Sequence, residues 1–297
     1  MRQYHFKSNR RKNEVMKYLI TGVHGQLGHD IVEVLKNQGN HEVFAPTRQQ
    51  LDISNRDQVM TYVAQVEPDV IIHCAAYTKV DLAEKDKENC YLANVMGTKN
   101  LVDAASVLPI KFIYLSTDYV FDGTKEGTYN ETDITNPQSV YGMSKYLGEK
   151  IVETIPYHFI ARISWVFGMN GHNFVKTMLN LSENHSQLNV VADQIGSPTY
   201  TKDLAKLLVD MSQTEKYGTY HITNEGYCSW AEFANYIFKT ANRKTIVNEV
   251  TTEEYLALTN NQQAYRPRNS KLSKDKIKAN FYALPTWQDA TDRYIKE

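Results

Sequence analysis

Gly22-Val23-His24-Gly25-Gln26-Leu27-Gly28 comes directly after the apolar run Lys17 to Thr21 and opens a stretch with helical spacing, residues 25 to 37. In a strand, turn and helix of this kind glycine serves three purposes. It makes the sharp turn, lets backbone N–H groups approach a pyrophosphate, and lets the helix pack closely on the strand. The spacing is G-x-x-G-x-x-G rather than G-x-G-x-x-G. A ligand-free turn would use glycine too, but the position after the first strand favours a dinucleotide, with Gly22, Gly25, Gln26, Leu27 and Gly28 lining it.

Outward from this turn, short runs rich in β-branched and aromatic residues alternate with helical spacing, the rhythm of a parallel sheet. Strands are expected at Lys17 to Thr21, Glu42 to Ala45, Asp69 to Ala75, Lys111 to Ser116 and His158 to Ile163, with helices near 25–37, 55–66, 88–106 and 139–154. Past residue 165 the pattern loosens into helices near 173–184, 201–213 and 229–241 and short strands near 188–191 and 218–223. The expectation is an α/β chain: a Rossmann-like doubly wound sheet over 16–167 and a smaller α/β substrate lobe over 168–297, some segments interleaved. Residues 1–15, polar and basic before Met16-Lys17, read as a disordered extension.

The 297 residues carry a formal charge of -1 and 23% charged side chains, which gives no basic stripe for nucleic acid. Cys74, Cys90 and Cys228 are odd in number and lack a C-x-x-C, which fits a reduced cytoplasm better than a disulfide framework. No apolar run of membrane-spanning length and no secretion signal is present. Nine histidines form no H-x-H or H-E-x-x-H pattern, so no metal ligands are named.

At the end of the second strand an acid would bind a ribose 2′-hydroxyl and an arginine a 2′-phosphate. The run there is Phe44-Ala45-Pro46-Thr47-Arg48, which favours NADPH, although a lone arginine is also an ordinary loop charge. Asp52, in Leu51-Asp52-Ile53, either caps the next helix or meets the adenine, with Ile53 beside it.

Tyr141 and Lys145 are four apart, hence on one helical face, and an ammonium beside a phenol draws its pKa down toward neutrality. A second Y-x-x-x-K, Tyr146 to Lys150, overlaps the first. Five helical residues rotate a side chain by roughly 140 degrees, so the two tyrosines cannot share a site. Tyr141, just after Asn136-Pro137, is chosen, and Tyr146 is read as packing. Thr117 ends a strand, where open sheets bind ligands. Asn94 is either a site residue or a satisfied mid-helix amide.

These residues resemble the extended short-chain dehydrogenase/reductases and, within them, the dTDP-4-dehydrorhamnose reductases. Matching stretches are the Gly22 to Gly28 turn, Ala75-Ala76-Tyr77-Thr78-Lys79-Val80-Asp81, Ser116-Thr117-Asp118-Tyr119-Val120-Phe121, Tyr141-Gly142-Met143-Ser144-Lys145, Ser164-Trp165-Val166-Phe167-Gly168, Asn173-Phe174, Asp193 to Thr199 and Arg266-Pro267-Arg268-Asn269-Ser270. The resemblance implies reduction of the C4 ketone of a dTDP-sugar by NADPH, with NADH also accepted in some members. Thr117 would orient the carbonyl, Tyr141 protonate O4, and Lys145 hold the nicotinamide ribose.

It further implies Ala75, Ala76, Tyr77 and Asn94 beside the cofactor, and Thr78, Val80, Asp118, Trp165, Gln194 and Arg266 beside the sugar nucleotide. Trp165 is equally readable as core packing. A homodimer and a Mg²⁺ ion come by resemblance only. Tyr119 stands where a dehydratase branch has an acid, which argues for plain reduction. His73 stands where the subfamily often has Asn. Two other readings remain open: another nucleotide-linked 4-keto sugar as substrate, or a non-catalytic NADP-binding subunit like that of methionine adenosyltransferase.

Overall fold

The continuous apolar runs become strands with neither face exposed. Val70, Ile71, Ile72, Phe112, Ile113 and Tyr114 are all fully buried, as parallel strands covered on both sides must be. The computed structural model describes residues 15–259 and 263–297, so the expected extension lies, apart from Val15, outside the described residues. In chain order the elements are β1 (Lys17–Thr21), α1 (Gln26–Gln38), β2 (Glu42–Phe44), α2 (Arg56–Val66), β3 (Val70–His73), α3 (Val80–Ala83), α4 (Lys87–Tyr91), α5 (Gly97–Ala105), β4 (Lys111–Thr117), α6 (Val140–Val152) and β5 (His158–Ile163). They continue with β6 (Val166–Phe167), α7 (Phe174–Leu181), β7 (Gln187–Val191), β8 (Ile195–Gly196), β9 (Thr199–Tyr200), α8 (Thr201–Ser212), β10 (Gly218–His221), β11 (Cys228–Ser229), α9 (Trp230–Thr240), β12 (Ile246–Val250), α10 (Thr252–Thr259), α11 (Asp275–Asn280) and α12 (Trp287–Lys296).

Six strands form one parallel sheet in the order β10-β5-β4-β3-β1-β2. The winding reverses between β1 and β3, whose carboxyl ends flank the crevice where such sheets bind ligands. On one face Ile31 and Leu35 of α1 and Leu204 and Leu208 of α8 pack on Tyr18, Ile20, Ile72 and Ile113. On the other, Val59, Val63, Leu101 and Val152 of α2, α5 and α6 pack on Leu19, Ile71, Phe112 and Ile160. A third cluster, with Phe167, Tyr200, Phe233, Trp287 and Tyr294, is the core of the later part of the chain.

The Rossmann-like sheet is as expected, but three elements differ from the sequence reading, the first being α8, expected in the smaller lobe, which packs on the main sheet. The helix expected over 88–106 is interrupted: between α4 and α5 lies a π-helical segment, Leu92–Met96, that carries Asn94. The wider turn lets the buried Asn94 amide reach the Tyr77 backbone, a tertiary demand that periodicity cannot report. The strand near 218–223, assigned to the smaller lobe, is instead the sixth strand of the main sheet, with Gly218 to His221 aligned on Phe159 to Arg162. A short strand carries no mark of its partner, so its sheet is decided by packing.

Where β4, β5 and α6 meet, Arg162 and Glu149 form a fully buried ion pair. Arg162 donates from Nε to Glu149 Oε1 (2.9 Å) and from Nη2 to Oε2 (2.8 Å), and Ser116 Oγ donates to Oε1 at 2.5 Å. Removing one partner strands the other's charge in the core, whereas an apolar pair of similar volume removes both. Glu149→Ala should therefore lose about 3–5 kcal/mol in urea unfolding, and Glu149→Leu with Arg162→Met should recover most of that.

Candidate active site

The Gly22 to Gly28 turn lies at the β1/β3 crevice. Gly22 has φ +72, and a Cβ there would lie 2.6 Å from Ala75 N; one on Gly28 would lie 2.4 Å from Gly22 O. No other residue fits either place. Gly25 begins α1 without a side-chain cap, and its own N–H donates to Gly22 O at 2.9 Å. The leading N–H groups of α1 thus face the crevice, a cradle that fits the pyrophosphate of a dinucleotide.

Beneath the turn runs an ordered chain of hydrogen bonds. Ala75 N–H donates to Thr21 Oγ1 (3.1 Å), Thr21 Oγ1 meets His73 Nδ1 (2.8 Å), His73 Nε2 meets Thr98 Oγ1 (3.1 Å), and Thr98 donates to Asn94 O (2.7 Å). Thr98 spends its one proton on Asn94, so His73 must carry its proton on Nε2 and accept from Thr21 at Nδ1. Burial, with Lys145 nearby, lowers the His73 pKa to about 3. Histidine here bridges two threonines rather than disturbing the packing.

Asn94 is fully buried. Its Oδ1 accepts from Tyr77 N (2.7 Å) and its Nδ2 donates to Ser144 Oγ (2.9 Å) and Tyr77 O (3.1 Å). This ties the Ala75-Ala76-Tyr77 segment to α6. The start of α6 is capped by Ser139, whose Oγ accepts from Gly142 N. A Cβ on Gly142 would lie 2.4 Å from Tyr119 O, so the helix sits tightly against the turn that follows β4.

On that helix Lys145 is buried, with Nζ 4.1 Å from the centroid of the Tyr114 ring. Burial lowers its pKa to about 7, opposed by the Glu149 carboxylate. Tyr141, half-buried, stands edge-on to Tyr119 with ring centroids 5.6 Å apart. Burial first and the Asp118 carboxylate second push its phenol above the ordinary value, while a hydrogen bond with Thr117 opposes them. The expected lowering by Lys145 is not found: burial and the Asp118 carboxylate raise the phenol, and the opposing effect comes from Thr117. A phenol kept protonated is the form that can give a proton away.

Thr117 Oγ1 donates to Asp118 Oδ1 at 3.0 Å, and Ser270 Oγ donates to Asp118 Oδ2 at 2.5 Å. Both oxygens of Asp118 are thus taken by hydroxyls, and burial raises its pKa to about 6. Tyr146 turns away, packed against the cluster of Val120, Phe121, Tyr129 and Leu272.

The remaining candidates spread around this centre. Trp165 has φ +48, a strained conformation for a large side chain. Its ring stacks on Trp230 with centroids 3.6 Å apart, and Gly196 leaves room for it. Arg266 grips Asp81 with two hydrogen bonds of 2.9 and 2.8 Å. Gln194 is buried and donates to Thr252 Oγ1. Thr78 is exposed and Val80 begins α3.

Arg48 is exposed beyond β2, and its charge helps to lower the Asp52 pKa, whose main cause is the Ser54 hydroxyl. Asp52 accepts from Ser54 rather than capping α2, a task done by Asn55. Ile53 packs on the face that holds α5. Sequence reasoning passed over Ser270, Glu149 and Arg162. A charged residue inside the apolar strand His158–Ile163 was the available signal for the last two.

Among the described residues no group of three or more histidine, cysteine or carboxylate side chains is placed to hold a metal ion. None of the helices in the described residues is long and apolar enough to cross a membrane. A hollow of about 350 Å³ between residues 105–110 and 154–157 opens at the amino ends of β4 and β5, the far edge of the sheet from this centre.

A neutral buried His73 makes the fold acid-sensitive. The unfolded chain binds its proton below about pH 6.5 and the folded chain only near 3, so stability falls as pH drops through that window. His73→Asn, whose amide can bridge Thr21 and Thr98, should abolish about 2 kcal/mol of the loss measured by denaturation between pH 7.5 and 5.0.

The family model for the RmlD substrate binding domain matches residues 16–297. The dTDP-4-dehydrorhamnose reductase of Aggregatibacter actinomycetemcomitans is 44% identical over 288 residues, spanning 92% of this chain and 96% of that protein. The spore coat polysaccharide biosynthesis protein SpsK of Bacillus subtilis is 39% identical over 282 residues, 95% of this chain and 97% of that protein. The crystal structure of dTDP-4-dehydrorhamnose reductase from Bacillus anthracis in complex with NADP superposes with a TM-score of 0.90 at 41% identity, covering 95% of this chain and 99% of that one.

Proposed function

This chain belongs to the RmlD substrate binding domain family, and we propose that it is a dTDP-4-dehydrorhamnose reductase, converting dTDP-4-dehydro-L-rhamnose to dTDP-L-rhamnose for polysaccharide synthesis. The observation that carries the reading is the placement of Tyr141 and Lys145 on one face of α6, with Thr117 at the carboxyl end of β4, on the same edge of the sheet as the uncapped start of α1. When bound, NADPH supplies the hydride that reduces C4.

Tyr141 gives its phenolic proton to O4 as negative charge develops there. Burial keeps that proton in place until the alkoxide forms. Lys145, its pKa lowered to about 7, would hold the nicotinamide ribose and supply positive charge beside the phenolate. Thr117, whose hydroxyl donates to Asp118 in the free protein, would turn that proton to the carbonyl oxygen and orient the ketone from β4.

The Trp165 and Trp230 stack and Arg266 form the side that receives the sugar nucleotide, the aromatic ring giving a flat wall and the guanidinium a partner for phosphate. A cytoplasmic location, where NADPH and nucleotide sugars are made, and the homodimer common in the class go with this reading. The non-catalytic alternative has no use for a lysine and a tyrosine aligned under an anion cradle.

Tyr141→Phe should lower kcat at least about 100-fold while leaving NADPH binding nearly intact, measured by loss of NADPH absorbance and by fluorescence titration. Retained turnover would sink the assignment. Arg48→Ala should raise KM for NADPH about tenfold and leave KM for NADH unchanged, because only NADPH brings a 2′-phosphate for the guanidinium.

A further inference from the structure

The loop between β6 and α7 reaches out of the later part of the chain and closes on the glycine-rich turn. Asn170 Nδ2 donates to His24 O at 2.8 Å and to Gly25 O at 3.3 Å. Asn173 Nδ2 donates to Gln26 Oε1 at 3.1 Å, with Gly168 O at 2.8 Å and the Tyr294 hydroxyl of α12 at 3.3 Å also within its reach. Between them Gly171, at φ +78, passes so close that a Cβ on it would touch Gln26 Cγ at 3.4 Å.

The two sides of a trans peptide point opposite ways. The Gly25 carbonyl accepts from His29 N at 3.2 Å as α1 begins, which points the Gln26 N–H out of the helix start toward the crevice, and Asn170 adds a second donor to that carbonyl and a first to His24 O. The same Asn173 caps α7 through Oδ1, which accepts from Lys176 N at 3.0 Å. Its cap and its grip on Gln26 therefore use different atoms of one side chain.

We propose that Asn173 and Asn170 are positioning residues for the dinucleotide: the sugar-binding half of the chain holds the cofactor turn in its binding shape. The inference rests on the function proposed above, since it takes the turn to be the pyrophosphate site. It assigns a role to the Asn173-Phe174 pair, which the chemistry at Tyr141 leaves unused. Phe174 also packs on Trp230, so this loop lies between the cofactor turn and the aromatic wall.

The test is NADPH titration of the full-length protein by fluorescence, with thermal melts and steady-state kinetics. Asn173→Ser keeps a helix-capping oxygen and removes the amide that reaches Gln26, while Asn170→Ala removes the loop's donor to His24 O and Gly25 O. Each should weaken NADPH binding about three- to tenfold, the worth of one hydrogen bond. KM for NADPH should rise with them while kcat holds and the melting temperature stays near that of the parent protein.

On a Gln26→Leu background, Asn173→Ser should add no further loss. Unchanged NADPH affinity in both variants, or additive losses in the Gln26→Leu cycle, would overturn the proposal with the function intact. Failure of the parent protein to bind NADPH would overturn the function itself, and the proposal with it.

Discussion

One column of buried hydrogen bonds holds the two halves of the chemistry in register. It starts at Ala75 N–H, passes through Thr21, His73, Thr98 and the Asn94 backbone, continues from the Asn94 amide to Ser144 Oγ, and ends where Ser144 donates to Tyr141 O at 2.7 Å. The glycine-rich turn is at one end and the catalytic helix at the other. The inner links, from Thr21 to Ser144, are buried, so a missing partner there would cost the desolvation of the group left behind. That penalty holds the glycine-rich turn and the start of α6, which carries Tyr141, in fixed register.

The charges around the site are arranged by burial more than by pairing. Lys145 and Tyr141 both shift toward their neutral forms, the lysine downward and the tyrosine upward, because burial disfavours the charged form of each. A buried neutral acid suits a step in which negative charge develops on the group it faces. The fully ionic pair, Glu149 with Arg162, sits one turn further along α6 and is closed off by Ser116. Its carboxylate opposes the loss of the Lys145 charge, so structural and chemical charges share one helix.

Much of this was legible in the residues. The strand, glycine turn and helix at Lys17 to Gln38, the apolar runs of β3 and β4, and the placing of Tyr141 and Tyr146 on different faces of α6 all follow from local rules: glycine where a Cβ would clash, unbroken hydrophobicity for a doubly covered strand, and helical rotation between the two tyrosines. Thr117 could be placed because a strand's last residue in a parallel sheet faces the ligand edge. The direction of the Tyr141 shift was not legible. Spacing puts a lysine near a phenol, but it does not measure how much water remains around them.

The sequence alone determined the first five strands of the main sheet and their order along the chain, the glycine-rich turn after the first of them and the helical face that carries Tyr141 and Lys145, because each rests on contacts among near neighbours in the chain. Tertiary structure decided the rest. It returned residues 218–221 to the main sheet as its sixth strand, opened a π-helical turn at Asn94, locked Trp165 in a left-handed conformation against Trp230, and brought Asn170 and Asn173 onto Gly25 and Gln26 from about 145 residues away. Those features are set by which surfaces meet when the core closes, and local periodicity carries no record of a partner that distant.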